Sequence, residues 1–158
     1  MRIGVISDTH CKDEKCNLEL LENYFNDIGI VIHAGDVGHI SCLKYLSKFG
    51  EVTAVAGNND LHLDYLEDVQ ELKIRNKKIS VIHGHQFAPW AIEKEVVKKF
   101  GSSDIIIFGH THVPLIEKVN GKILINPGSY NRPRTKNRKK TFMILEISRE
   151  ISIDLIEL

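Results

Sequence analysis

The chain has 158 residues, of which 42% are hydrophobic and 27% are charged, and its formal net charge is zero. This length suits one domain with a sizeable core, so we expect a single domain over residues 1–158 without a separate capping domain. The zero net charge excludes any argument from global electrostatics for binding to nucleic acid or to a membrane surface.

The ends and the cysteines of the chain narrow its class further. The first strand is expected to begin at the first methionine, with candidate functional residues by position 8, which leaves no room for a cleaved signal. No apolar run approaches the roughly 20 residues of a membrane span. We therefore expect a cytoplasmic protein without membrane contact. Three cysteines without a CxxC pair, Cys11, Cys16 and Cys42, predict buried small hydrophobic residues and neither a disulfide framework nor a structural zinc site.

The first third of the chain alternates strands with helices. The helix expected after the first strand rests on Leu18, Leu21, Phe25 and Ile28, which recur at helical spacing. In order, the pattern predicts a strand at 3–6, a helix over 18–28 with Asn17 as N-cap and Gly29 at its end, a strand at 30–34, a helix over 40–49 and a strand at 51–56.

The rest of the chain changes to hairpins. The pattern predicts strands at 69–74 and 78–83 around a turn at Asn76 and Lys77, a helix over 91–100, a short buried strand at 105–108, strands at 113–119 and 122–125 around Asn120-Gly121, and strands at 141–147 and 151–158. The change from strand-helix units to hairpins predicts an α/β fold with two packed mixed sheets and helices outside them, not one doubly wound sheet.

Polar clusters directly follow six of the apolar runs. An isolated histidine or aspartate in such a turn is more often structural, but the repetition predicts one site at a shared sheet end. The clusters are Asp8 and His10, Gly35-Asp36, Gly57-Asn58-Asn59-Asp60, His83-Gly84-His85, Gly109-His110-Thr111-His112 and Asn126-Pro127-Gly128-Ser129.

These clusters contain seven candidate metal ligands. Their oxygen and imidazole donors, without a thiolate, favour Mn²⁺, which we expect first, or Ni²⁺, Co²⁺, Fe²⁺ or Zn²⁺. Seven donors are too many for one ion in an open catalytic site, and suit two ions about 3.5–4 Å apart that share a carboxylate and a water-derived hydroxide. The candidates are Asp8, His10, Asp36, Asn58, His83, His110 and His112.

The ordered motifs, over residues 1 to about 130, resemble the calcineurin-like metallophosphoesterase superfamily and, within it, the small YfcE-type phosphodiesterases. The resemblance implies a four-layer α/β/β/α sandwich. It also implies hydrolysis of small phosphodiesters by a hydroxide that bridges two divalent metals. By the same resemblance, Asp8, His10 and His112 hold the first ion, Asp36 bridges the two, and Asn58, His83 and His110 hold the second.

Position 59 departs from the wider superfamily. Many members carry a histidine there, the presumed proton donor to the leaving group, and YfcE-type relatives also lack it. Asn59 can orient a phosphate but cannot titrate, so a rate factor of about 10²–10⁴ must come from elsewhere. Either the substrates have good leaving groups, or His85 or His39 donates the proton. The catalytic candidates are Asp36, Asn58, Asn59 and His85.

The segment from Arg132 to Lys140 contains six cations. A solvated loop is the favoured interpretation, and the alternative is that these cations steer phosphate toward the sheet end. The phosphate-binding candidates are Asn59, His85 and Arg132. No aromatic stripe accompanies the charges, so nucleic acid is not the favoured partner and a nuclease is a lesser alternative.

A binding scaffold is the main alternative from another functional class. The segment IHGHQFAPW at 82–90, with GHTH and NPGS, also resembles the retromer subunit built on this fold, which works chiefly through protein contacts. That relative departs from the two-metal pattern at the bridging and asparagine positions. Because Asp36 and Asn58 are both present here, an enzyme is favoured. Phe87 and Trp90 are expected in the core, with homo-oligomer contact as the alternative.

Three histidines outside these motifs are expected to be structural. His33 lies inside an apolar strand and is expected to be a hydrogen-bonded core residue. His39 is expected to cap the second helix, with a position lining the site three residues after Asp36 as the alternative, and His62 is expected to lie in a solvated loop.

Overall fold

The first sheet carries the amino-terminal strands. The computed structural model describes residues 1–13 and 16–158. This sheet has five strands: β1 Arg2–Ile6, β2 Ile30–His33, β3 Glu51–Ala54, β9 Thr141–Ile147 and β10 Ile151–Glu157. They pair in the order β10-β9-β1-β2-β3. Strands β1, β2 and β3 are parallel, β9 runs antiparallel to β1, and β10 runs antiparallel to β9.

The second sheet is built by the middle of the chain. Its strands are β4 Val69–Ile74, β5 Lys77–Ile82, β6 Ile105–Ile107, β7 Pro114–Val119 and β8 Lys122–Pro127. They pair in the order β4-β5-β6-β8-β7, with β5, β6 and β8 parallel and with the edge strands β4 and β7 antiparallel to their neighbours. Both sheets are therefore mixed, as predicted.

Three apolar clusters separate four layers. The central cluster joins residues of both sheets, such as Val5 and Ile107, so the sheets pack face to face. A second cluster covers the outer face of the first sheet with α1 (Ile40–Leu46) and a 3₁₀ helix (Glu19–Asn23), and a third packs α2 (Ile92–Lys99) on the second sheet. The predicted α/β/β/α sandwich is confirmed.

The helix predicted over 18–28 is wrong in type and extent. Only Glu19–Asn23 is helical, with 3₁₀ geometry, and Asn17 provides no side-chain cap. Asn17 and Asp27 have φ angles of 49° and 62°, a left-handed conformation that an α-helix cannot contain. The apolar residues Leu18 and Phe25 are nevertheless buried, because a spacing of three to four residues also suits a short 3₁₀ segment with turns.

Several smaller predictions can be checked in the loops. Asn120 and Gly121 both have positive φ angles, as the hairpin signal required. The β4–β5 turn lies one residue earlier than predicted, since β5 begins at Lys77. Trp90 is 88% exposed, so its expected place in the core is wrong, whereas Phe87 packs against the third cluster.

The cysteines and the membrane prediction can also be compared with the structure. All three cysteines are free and buried, as expected. Within the described residues, no helix has the length and apolar character that crossing a bilayer requires.

Candidate metal centre

The candidate ligands lie where parallel strands end. Asp8 and His10 follow β1, Asp36 follows β2, and the asparagines at 58 and 59 lie beyond β3. In the second sheet, His83 directly follows β5, and His110 and His112 follow β6. Because the sheets pack face to face, the ends of their parallel strands meet at one edge of the sandwich.

Four of the candidates form a compact group. One ligand atom from each of Asp8, His10, Asp36 and His112 lies within 4.8 Å of every other. The His112 Nε2 atom is 2.9 Å from Asp8 Oδ1, and His10 Nε2 is 3.8 Å from the same oxygen. Two carboxylates and two imidazoles at this spacing could hold a divalent cation.

Asp36 lies between two imidazoles. Its Oδ2 atom is 3.6 Å from His10 Nε2, and its Oδ1 atom is 3.6 Å from His83 Nε2. Each oxygen of this carboxylate therefore faces a different histidine. This arrangement suits a carboxylate that gives one oxygen to each of two cations.

The other three candidates, Asn58, His83 and His110, form a looser group on the other side of Asp36. The rings of His83 and His110 lie 5.2 Å apart between centroids, and Asn58 is exposed at the rim. Among the described residues, His83 and His110 belong to no second group as compact as the first. The structure thus gathers the first predicted ligand set with the bridging residue, and places the second set nearby.

Several polar atoms at this centre are buried and have no hydrogen-bond partner within residues 1–13 and 16–158. They are Asp8 Oδ1, His10 Nε2 and His83 Nε2. Leaving such atoms unpaired typically costs about 1–3 kcal/mol each, so a buried orphan needs an explanation. Cations bound on the two sides of Asp36 would satisfy all three, and the residues present therefore fit a metal.

The carbonyl partners of two histidines fix which ring nitrogen faces the centre. His83 Nδ1 lies 2.7 Å from the carbonyl oxygen of Ala34, and His112 Nδ1 bonds the carbonyl of Arg132. A carbonyl can only accept, so each Nδ1 carries the proton and donates. Each Nε2 atom is then directed at a carboxylate, and in the neutral imidazole it carries the lone pair that a metal ligand requires.

The backbone at the candidate ligands is unusual. Five of the seven have φ angles between 43° and 66°, a left-handed conformation that costs roughly 1–3 kcal/mol for a residue with a side chain. Hydrogen bonds across the loops oppose this cost, since Asp8 N donates to Gly35 O and His10 N to Asp36 O. The five are Asp8, His10, Asp36, His110 and His112.

Two glycines allow the loops to approach the carboxylates. A Cβ atom at Gly57 would lie 2.2 Å from Asp36 Oδ1, and one at Gly109 would lie 2.1 Å from the Ser7 hydroxyl. Any larger residue would push the loop after β3 or β6 away from the centre.

Three supporting residues were not assigned a role from the sequence. Buried Asp60 accepts backbone N–H bonds from Val37, Gly38 and Gly57 at 2.8–3.0 Å, and so joins the loops after β2 and β3. The Ser7 hydroxyl donates to Asp8 Oδ2, and Asn126 donates to Gly109 O. Asp60 and Asn126 lie within the polar clusters and Ser7 directly precedes one, which gave a signal but not the identity of their partners.

Local charges shift the titration of the site. Burial alone would raise the pKa of Asp8 and of Asp36, but neighbouring histidines and hydrogen bonds outweigh it and hold both carboxyl pKa values below normal. Burial lowers the pKa of His10 and of His110, whereas at His83 burial is outweighed by the carboxylates of Asp36 and Asp8, which raise the pKa. Ionised carboxylates and neutral imidazoles are the protonation states that bind a cation.

Of the three predicted phosphate-binding residues, Asn59 and Arg132 line one cleft and His85 does not. A cleft of about 170 Å³ lies over Asp36, with Asn58, Asn59, Arg132 and Arg134 on its walls. The side chain of Asn59 turns to Asp36, because its Nδ2 atom donates to Asp36 Oδ2 at 2.7 Å and its backbone N–H donates to Oδ1 at 2.9 Å. Asn59 thus orients the central carboxylate in this structure.

The remaining histidines divide as follows. His85 is half-buried, 5.5 Å from the His83 ring, and its Nδ1 atom has no hydrogen-bond partner among the residues that the structure describes. His39 caps α1 by accepting from Ser41 N, and His33 bonds Thr9 in the core, so both structural predictions are confirmed. His62 is exposed but also bonds the Gly38 carbonyl oxygen.

Comparison with known proteins identifies relatives over nearly the whole chain. A probable metallophosphoesterase of Methanocaldococcus jannaschii is 35% identical over 161 residues, which cover 99% of this chain and 81% of that protein. A phosphodiesterase of the same organism is 32% identical and covers 81% of this chain and 83% of its own. The phosphodiesterase YfcE of Escherichia coli is 30% identical over 55% of this chain and 48% of its own.

Solved structures share the fold. A single mutant of Vps29 from Entamoeba histolytica superposes with a TM-score of 0.80 at 26% identity, covering 100% of this chain and 99% of that one. The wild-type protein complexed with Zn²⁺ gives 0.77 at 26% identity, covering 99% of each. An archaeal phosphodiesterase gives 0.74 at 26% identity over the full length of both chains.

The family model of the calcineurin-like phosphoesterase superfamily domain matches residues 1–150. This range contains every candidate metal ligand and all strands except β10. The chain therefore belongs to the calcineurin-like phosphoesterase superfamily.

Proposed function

We propose that the chain is a metal-dependent phosphodiesterase that hydrolyses small phosphodiesters at a two-metal centre. The observation that carries this proposal is the position of Asp36, whose two carboxylate oxygens face His10 and His83 separately at 3.6 Å. The first ion would be held by Asp8, His10, Asp36 and His112. The second would be held by Asp36, Asn58, His83 and His110.

The residues around this centre would bind and orient the phosphate. Two divalent cations, when bound, would supply a nucleophilic hydroxide near neutral pH and neutralise charge on the phosphate oxygens. Arg132 and Arg134 line the cleft over Asp36 and add two positive charges beside it. Asn59 holds the Asp36 carboxylate in a fixed orientation through its two hydrogen bonds.

The proton for the leaving group has no assigned donor among the walls of this cleft. Asn59 cannot titrate, and its amide is bonded to Asp36. His85 lies next to His83 with an unpaired Nδ1 atom, so we propose it as the donor. His39 is the weaker candidate, since its Nδ1 atom bonds Ser41.

Hydrolysis of bis(p-nitrophenyl) phosphate tests the proposal. We expect turnover with Mn²⁺ that chelator abolishes and that Asp36→Asn lowers by at least about a hundredfold, because the central ligand is lost. Asp154→Asn, an exposed carboxylate of β10, is the matched control and should retain activity. Loss of Mn²⁺ affinity in Asp36→Asn, measured by calorimetry, separates a ligand role from a folding defect.

A binding scaffold is the second candidate. The likeness to Vps29 structures favours it, as does the exposure of Trp90 beside the half-buried Phe87. Large exposed aromatic residues often mark protein contacts. Absence of turnover with each of Mn²⁺, Ni²⁺, Co²⁺, Fe²⁺ and Zn²⁺ would contradict the enzyme and favour this alternative.

A further inference from the structure

A second polar cleft adjoins the candidate metal centre. It has a volume of about 410 Å³, and we call it the adjacent cleft. His10 and Arg132 line both this cleft and the smaller one over Asp36. A phosphodiester carries two ester groups, so when its phosphorus lies over Asp36, one ester group can extend into the adjacent cleft.

The charges on the adjacent cleft are unequal. Among the described residues that line it, Lys12 and Arg132 supply two cations and Asp13 supplies one carboxylate. Both cationic side chains are exposed, and neither makes an ion pair or a side-chain hydrogen bond with residues 1–13 or 16–158. By contrast, Lys139 in the same basic segment pairs with Glu157 at 3.3 Å. Positive charge is therefore available to a ligand in this cleft.

The two asparagine side chains that line the cleft differ in how firmly hydrogen bonds hold them. Asn131 is held in place, because its Nδ2 atom donates to Thr9 O and its Oδ1 atom accepts from Lys140 Nζ at 3.2 Å. Asn17 is exposed and its amide has no such bond to the described part of the chain. Of the residues that the structure describes, no phenylalanine, tyrosine or tryptophan lines this cleft, so it lacks the stacking surface that binds a nucleobase.

We propose that the adjacent cleft holds the non-leaving ester group of the substrate and selects a small group that carries negative charge. Lys12 and Arg132 attract that charge, and Asn17 donates a hydrogen bond to its oxygens. The substrate class is then a phosphodiester in which one ester group is anionic, and not a nucleoside or an aryl group. This proposal rests on the proposed phosphodiesterase function.

A series of diesters with one leaving group tests it. Carboxymethyl, ethyl and choline p-nitrophenyl phosphates all release p-nitrophenol, while the second ester group is anionic, neutral or cationic. We expect kcat/KM with Mn²⁺ to fall in that order, with the anionic ester about fivefold above the neutral one, the size of effect that partly exposed charges give. Raising NaCl from about 0.05 M to about 0.5 M should reduce the difference by screening.

Three variants assign the effect to the cleft. Lys12→Gln should reduce the anionic preference, the ratio of kcat/KM for the anionic ester to that for the ethyl ester, about threefold. Arg132→Gln should reduce the same preference and also slow all three esters, since Arg132 also lines the phosphate cleft. Lys136→Gln is the matched control, because Lys136 belongs to the same basic segment but lines neither cleft.

The outcomes distinguish the two proposals. Hydrolysis that is independent of the charge of the second ester group, or a preference that Lys12→Gln does not change, overturns the adjacent-cleft proposal alone. Failure to hydrolyse any ester in the series overturns both that proposal and the phosphodiesterase function.

Discussion

His85 is the residue whose role is least determined by its neighbours. Its ring lies 5.5 Å from that of His83 and 6.4 Å from that of His110, but the side chain does not line the cleft over Asp36. A proton donor must reach the leaving oxygen directly or through one water molecule. A short shift of the loop after β5, or a bridging water, would be needed for His85 to act.

We therefore predict a leaving-group signature for His85. If it donates the proton, His85→Ala should slow esters of poor leaving groups by about 10²–10⁴ and esters of good ones much less, because good leaving groups need no proton. Hydrolysis rates are measured for aryl diesters whose leaving phenols differ in pKa. The slope of the logarithm of the rate against that pKa should become steeper in the variant. Trp90→Ser, a nearby exposed substitution, should leave the slope unchanged, and an equal slope in His85→Ala would exclude the role.

Among the structural elements, the loops that follow the strands determine where the ligands lie. That the ligands gather at one edge could be predicted, because each polar cluster directly follows an apolar strand. The bond from Asn59 to Asp36 and the carbonyl bonds of His83 and His112 could not be predicted. They depend on loop backbone that includes the left-handed Asp36 and His112. The helix expected over 18–28 failed for the same reason, because nothing in the apolar spacing signals the left-handed Asp27 within that range.

Gly57 tests how closely the loop after β3 must approach Asp36. In Gly57→Ala the new methyl group would meet Asp36 Oδ1 at 2.2 Å, so the loop must move away from the carboxylate. We expect a loss of about 1–3 kcal/mol in the free energy of unfolding and weaker Mn²⁺ binding, measured by urea denaturation and by calorimetry. Gly101→Ala is the control, because a Cβ there meets no atom within 4 Å. Equal metal affinity in both variants would contradict the requirement for close approach.

Asp60 tests how the loops after β2 and β3 are joined. In Asp60→Asn an NH₂ group replaces one acceptor and faces a backbone N–H, so at least one of three hydrogen bonds is lost inside the protein. We expect unfolding to become easier by about 1.5–3 kcal/mol in urea, and Mn²⁺ affinity to fall about 10- to 100-fold. Asp64→Asn, at an exposed position of the same connection, should change neither quantity. Unchanged metal binding in Asp60→Asn would show that the two loops hold their places without this carboxylate.

At the scale of the whole molecule, the sheets and the site support one another. The four-layer arrangement could be predicted because strand-helix units give way to hairpins along the chain. The central apolar cluster contains residues from both sheets, while the metal ligands also come from both. A cation at the shared edge would therefore bind a structure that exists only when the two sheets are packed together.

Metal binding should therefore raise the temperature at which the whole sandwich unfolds. A ligand that binds only the folded state, at about a hundred times its Kd, adds about 2.7 kcal/mol. For a chain of this length we expect Mn²⁺ to raise the Tm by roughly 5–10 °C relative to chelator. Replacing Asp8 and Asp36 together with asparagine should abolish the rise, even if removing two buried carboxylates changes the Tm in chelator. Asp154→Asn should keep it, and a rise of the same size in the double variant would place the metal elsewhere.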